Sequence, residues 1–342
     1  MPRKRVGGAF GVGWWWMQGT QVRIDERELD AILREALGER RHGVVASVIG
    51  EGMINDARRL TWPAGTQRIL RIAPSDAFAA AGPSWFTPYG LRREAAVIAA
   101  ASNLAAYLPV TVAHDFDRRV IDRDWVIQEI MPGVVLRTVD EYLPTNQRDA
   151  LWMEIGEFSK RLHETSSSSF GPPVWGPAFD SWPDLLEWDV AGLLEDATRF
   201  GYDPVPFERL AVLVASCRAL LDEVTTPALI HSDLNRYHLF VEQREEHWRL
   251  RGTIDLEFGR YADPLSESLI VGFEWDNAPV EMRDAFMKGY GQEELSEREQ
   301  VRVAMYAALA LAWFAPLLAM QHEPLDDLMR RLGEALDRAE AG

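Results

Sequence analysis

The residues best placed to do chemistry lie in one short stretch. An apolar run, Ala228, Leu229 and Ile230, leads into His231, Ser232 and Asp233; a second apolar run, Leu239, Phe240 and Val241, follows directly on His238. Further on, a strand from Leu250 to Ile254 ends on Asp255, and Ala262, Asp263 and Pro264 come soon after. Strands that alternate with tight polar loops would make a hairpin here, with His238 and Asp255 side by side and Asp233 on the loop facing them. A carboxylate so placed can orient or deprotonate a hydroxyl. An imidazole and a second carboxylate can hold a divalent cation against phosphate oxygens. Phosphoryl transfer is the reaction that needs all three together. A lone H-x-D is more often a polar turn; the second Asp at a strand end and the Asp-Pro after it set this one apart.

Protein kinases place a metal-binding residue five positions after the catalytic Asp, and here that position is His238. His231, Ser232, Asp233 and Leu234, with Ile254, Asp255 and Ala262, Asp263, Pro264, resemble the H-G-D-x-x-x-x-N, I-D and G-D-P set of the aminoglycoside phosphotransferase family. The resemblance runs from about 44 to 268. It implies a bilobal, protein-kinase-like α+β fold, with a small β-rich first lobe bearing one inserted helix and a larger helical second lobe. It further implies ATP or GTP and Mg²⁺ as cofactors, Asp233 as the catalytic residue, and His238 and Asp255 as metal ligands. Asp263 is assigned to the fold. Most members carry Asn at the position of His238, and imidazole is a softer ligand than an amide oxygen.

The first half must then supply a nucleotide site. Gly50 and Gly52 lie between two expected strands, where their backbone N–H groups could approach phosphate oxygens. Arg71, on the apolar strand 68–73, takes the position of the family's phosphate-binding cation, and Glu94 that of its paired acid. Arg keeps the charge of the more usual Lys but is not equivalent to it. Glu129 and Ile130, just before the turn at Met131, Pro132 and Gly133, fit the hinge that meets the adenine edge. On the acceptor side, carboxylates and indoles recur together: Asp180, Asp184, Glu187 and Asp189 with Trp175, Trp182 and Trp188, then Glu267, Glu274 and Asp276 with Trp275. Acids with aromatic faces suit a quaternary amine by cation–π attraction and equally a sugar or nucleoside ring by stacking; core packing accounts for at least half of these indoles. His163 reads as a packed or capping histidine.

The elements that must carry these residues follow from periodicity. Apolar spacing predicts helices over 25–37, 91–107, 146–164, 183–198 and 206–224, and strands over 44–49, 57–62, 68–73, 110–116 and 125–130. The expected division is an extension over 1–20, a nucleotide lobe over 21–132 and a catalytic and substrate lobe over 133–342. The extension, with Trp14, Trp15 and Trp16, reads as a disordered segment from an upstream start, Met17 being the alternative first residue. The most apolar stretch, 303–320, carries Pro316 and reads as a buried helix.

Composition limits the alternatives. The 342 residues hold 53 acidic against 36 basic side chains, a net charge of −17, which disfavours nucleic acid or an anionic membrane as partner. A single cysteine, Cys217, excludes an intramolecular disulfide and suits the cytoplasm. The expected function is ATP-dependent phosphorylation of a small-molecule hydroxyl, with an antibiotic as acceptor and resistance or self-protection as the outcome. Three other readings stay open: a kinase for a metabolite such as choline, homoserine or a sugar; a weakly active nucleotide-binding regulator; and a hydrolase whose metal is held by the same His and Asp residues.

Overall fold

A computed structural model describes residues 23–49, 54–271 and 280–341. Gly50, Gly52, Glu274, Trp275, Asp276 and the 1–20 extension lie outside the described residues.

The first lobe is built on five antiparallel strands in the order β1-β2-β3-β5-β4: β1 (Val45–Val48), β2 (Asp56–Thr61), β3 (Gln67–Ile72), β4 (Thr111–Asp115) and β5 (Trp125–Glu129). Helix α1 (Glu26–Leu37) starts at a capping box in which Asp25 accepts from the amide of Glu28 while Glu28 returns a carboxylate to the amide of Asp25. Its apolar stripe, Ile32, Leu33 and Leu37, packs on Leu60, Leu70, Ile72, Trp125 and Ile127 to make the lobe's core. Two helices lie between β3 and β4. The long one, α3 (Gly90–Ala100), carries Glu94; its predicted continuation to 107 is a separate 3₁₀ turn, Ser102–Tyr107. The short one, α2 (Asp76–Ala81), has no counterpart among the predicted helices, being too brief to show a period.

The chain leaves β5 through Met131, Pro132 and Gly133. Gly133 has φ +95°, and a Cβ there would collide with the backbone carbonyl of Val241, so only glycine lets the two strands approach. Beyond it β6 (Val134–Val135) joins a three-stranded sheet in the order β6-β8-β9, with β8 (Leu239–Arg244) and β9 (His247–Thr253) forming the expected hairpin. Two short strands, β7 (Ala228–Ile230) and β10 (Arg260–Ala262), pair antiparallel beside it.

Around these strands the second lobe is helical. Helices α4 (Thr145–His163), α5 (Trp182–Phe200) and α6 (Val205–Ser216) pack with the helices Val280–Tyr290, Glu297–Ala312 and Asp326–Ala341 about Trp152, Trp182, Phe207, Phe286 and Tyr306. The apolar stretch over 303–320 forms parts of two helices, Glu297–Ala312 and Ala315–Met320, parted just before Pro316. Met305, Tyr306, Ala308 and Leu309 of the first are buried in the core.

The segment between α2 and α3 is fastened to α5. Asp196 accepts from the amide of Ser84 (2.8 Å), and Arg199 donates to the carbonyls of Gly82 and Ala80. Tyr89 stacks on Trp175 of the second lobe at 4.7 Å, and Arg93 donates to the Trp175 carbonyl at 2.6 Å.

Candidate active site

Strand β7 is wholly buried and ends by projecting a polar loop. Its first residue, His231, is buried and braces the loop. Nε2 faces the hydroxyl of Thr253 and the carbonyl of Ile254, each at 3.0 Å, while Nδ1 accepts weakly from the amide of Asp233 (3.4 Å). Burial pushes its pKa down, so the ring is a neutral strut. Ser232 follows with φ +66°, a left-handed conformation that glycine tolerates far better, and its buried hydroxyl has no hydrogen-bond partner among the described residues.

Glu267 holds this loop from beneath. Fully buried, it accepts from the amides of His231 (2.7 Å), Ser232 (3.1 Å) and Ser268 (2.8 Å) and from the Ser268 hydroxyl (3.0 Å). His163 approaches the same carboxylate at 3.4 Å and also meets the hydroxyl of Tyr290 at 2.8 Å. Burial alone would raise the pKa of Glu267, but His163 and the converging amides hold it down at about 2.

Above that base three side chains converge. His238 Nδ1 lies 2.7 Å from the carbonyl of Asp233 and 3.5 Å from its carboxylate, and Nε2 lies 3.5 Å from Asp255 Oδ2. One ligand atom from each of Asp233, His238 and Asp255 falls within 4.8 Å of the others. The hairpin fixes this: Leu239 pairs with Thr253, and the amide of Ile254 donates to the carbonyl of His238 at 3.0 Å. Asn235 Nδ2 donates to Asp233 Oδ1 at 2.9 Å. Although 39% of its side chain is exposed, the walls of the depression and the nearby Asp255 push the pKa of Asp233 up to about 6 against the pull of His238. Burial opposes charge on His238, yet Asp233 and Asp255 together raise its pKa. Asp255, at φ +68°, is held below the usual carboxylate range despite burial, first by Arg71 and then by His238.

The donor set fits a divalent cation. Two carboxylates offer hard oxygens. In its neutral form His238 donates Nδ1–H to the acceptor-only carbonyl of Asp233, which leaves Nε2 as the lone pair on the side of Asp255.

From the first lobe, Arg71 reaches the same centre. Nη1 donates to Glu94 Oε2 at 2.6 Å and Nη2 to Asp255 Oδ1. Burial works against the guanidinium charge, but Glu94 and Asp255 raise its pKa nonetheless. Glu94 is buried and its other oxygen accepts from Gln128 Nε2 at 2.7 Å. Glu257 was not singled out by the motif, although it stands two residues after Asp255. It is buried, accepts from Asn55 of the first lobe at 3.0 Å, and lies so close to Gly90 that a Cβ there would collide with it. Burial and Asp255 raise its pKa to about 8. Glu129 closes β5 opposite Arg68, with Ile130 half-buried beyond it at the turn.

The acids expected on the acceptor side do not form one cluster. Asp184 and Glu187 each bind Arg218 at 2.6 Å on the outside of α5, and Asp180 is exposed. Asp189 is buried against Arg260 at 2.6 Å. Glu267 is the support beneath the loop and cannot line an acceptor pocket. Trp182 is a core residue whose indole donates to Tyr306 at 2.7 Å, while Trp188 is 47% exposed. Asp263 accepts from Tyr306 at 2.7 Å and pairs with Arg302 at 3.0 Å, a fold role.

A sheet-rich lobe and a helical lobe closing over two aspartates and a histidine define a kinase-like protein. The profile described as the phosphotransferase enzyme family matches residues 45–304. The chain belongs to that family and is a small-molecule phosphotransferase. No curated protein sequence matches it. Among solved structures, the GDP and kanamycin complex of APH(2″)-IIIa is similar at 17% identity and a TM-score of 0.61, over 92% of this chain and 99% of that one. The streptomycin–ATP–APH(2″)-IIa complex is similar at 15% and 0.60, over 94% and 99%. A Thermobifida fusca protein described as a candidate fructosamine-3-kinase is similar at 15% and 0.63, over 93% and 100%. At these identities the likeness is one of fold.

Proposed function

We propose that this chain moves the γ-phosphoryl group of ATP or GTP to a hydroxyl of a small molecule at Asp233. The observation that carries the reading is the convergence of Asp233, His238 and Asp255 to within 4.8 Å. The acceptor oxygen forms a bond to the γ-phosphorus as the bond to the β-phosphate oxygen breaks, and the hydroxyl proton passes toward the Asp233 carboxylate. A Mg²⁺ ion, when bound, supplies positive charge beside the triphosphate; Asp255 and His238 Nε2 would hold it. Arg71, oriented by Glu94, neutralises nucleotide phosphates. The backbone at Glu129 and Ile130 meets the base, and Gly50 and Gly52 belong to the phosphate-covering loop in this reading.

The acceptor we propose is an antibiotic with sugar or nucleoside character, inactivated by phosphorylation; the kanamycin and streptomycin complexes of similar fold support this. A metabolite sugar derivative is the second reading, supported by the similarity to the candidate fructosamine-3-kinase. The test is ADP release with Mg²⁺ across both acceptor classes, with Asp233→Asn alongside. The variant should bind nucleotide like the wild type in calorimetry and lose at least ~100-fold in kcat. Turnover within tenfold of wild type would remove Asp233 from the reaction.

A further inference from the structure

A cavity of about 220 Å³ opens between the segment before α3, helix α5 and Trp313, walled by Trp85, Trp188, Trp313, Asp189 and Glu195. Asp189 in its wall is paired with Arg260, and Arg260 sits opposite Ile230, three residues ahead of Asp233.

Charge accounting decides what the cavity favours. Asp189 is cancelled by Arg260, whose guanidinium also lies 5.1 Å from the centre of the Trp313 ring. Asp184 and Glu187, on the same helix, are both taken by Arg218, and Asp196 by Ser84 and Arg199. Glu195 is the wall carboxylate with no ion pair among the described residues. A polyamine would therefore find one anion where it needs several. Flat surfaces, in contrast, are plentiful and fixed. Trp85 stacks on Trp313 at 5.6 Å and 15°, and meets Phe258 edge-on at 5.5 Å. Trp188 packs against Phe179 at 6.1 Å while 47% of it stays exposed. The volume is below the roughly 300–1,000 Å³ of a site for a whole drug-sized ligand, so it suits one ring system of a larger acceptor.

We infer that this cavity is the acceptor subsite for a flat ring bearing at most one amine, and that it selects against polycationic sugars. The inference rests on the kinase reading and narrows its acceptor. Trp188 supplies the ring face and Glu195 the single anionic contact.

The test is calorimetric titration of the full chain, first with Mg²⁺ and a non-hydrolysable ATP analogue, then with one- and two-ring aryl amino alcohols, choline and kanamycin. The ring compounds should bind at least tenfold more tightly than choline or kanamycin. Trp188→Ala should weaken them about tenfold, as loss of one stacking face does, and Trp188→Phe should restore most of that, with nucleotide affinity unchanged in both. Glu195→Gln should weaken only the amine-bearing members. Kanamycin binding more tightly than the ring compounds, no binding of the ring compounds, or Trp188→Ala without effect would each overturn the subsite while leaving the kinase reading intact. Failure of the nucleotide analogue to bind would instead overturn the kinase reading itself.

Discussion

Replacing Glu267 with Gln tests whether the catalytic loop is held by one buried charge. The substitution keeps shape and one acceptor oxygen, but it turns the other oxygen into a donor that faces the His231 amide or His163. The magnitude follows from the shift. A carboxyl brought from 4.5 down to about 2 stabilises the folded state by about 3 kcal/mol at pH 7. Because the folded pKa is the lower one, that contribution is complete well above 4.5 and is lost as pH falls through the folded value; about 2 kcal/mol remains at pH 3.5. Urea unfolding of wild type and Glu267→Gln, from pH 7 down to the lowest pH at which the wild type is folded, should show a gap of about 3 kcal/mol that narrows on acidification. The turnover number should fall at least tenfold with the KM for ATP within twofold, since the loop presents Asp233 and not the nucleotide. A gap below about 1 kcal/mol at pH 7, or one independent of pH, would refute the argument that the carboxylate charge supports the loop.

Two further outcomes follow from the same loop. With Asp233 at about 6, kcat/KM should fall tenfold per pH unit below that value, as the carboxylate that receives the hydroxyl proton is lost; a profile flat to pH 5 would contradict it. Ser232→Gly should raise stability by about 1 kcal/mol in urea unfolding, because it relieves the left-handed strain and removes an unsatisfied hydroxyl, with kcat unchanged.

The sequence made the kinase-like architecture legible wherever a local rule was strong enough. Apolar spacing over 25–37 places α1, and the hairpin carrying His238 and Asp255 follows from the apolar runs that flank it. Helix α2 escaped because six residues between Pro74 and Pro83 show no period. The 91–107 helix was drawn too long because Ala101 ends α3 without a Gly or Pro to mark it. On the acceptor side the difficulty was of another kind. Asp184 and Glu187 look available until Arg218, more than 30 positions later, is seen to occupy both. The roles of Glu267, Glu257 and Asn55 depend likewise on partners far along the chain.

Arg71 is shared between Glu94 and Asp255, so in the ligand-free centre one guanidinium partly offsets two carboxylates. A cation arriving at Asp255 must compete with a guanidinium, whereas a triphosphate arriving with its ion offers that guanidinium a replacement anion. On the proposed reading, nucleotide and ion would enter as a neutralising pair, by partner exchange, with little incentive for the protein to accept either alone.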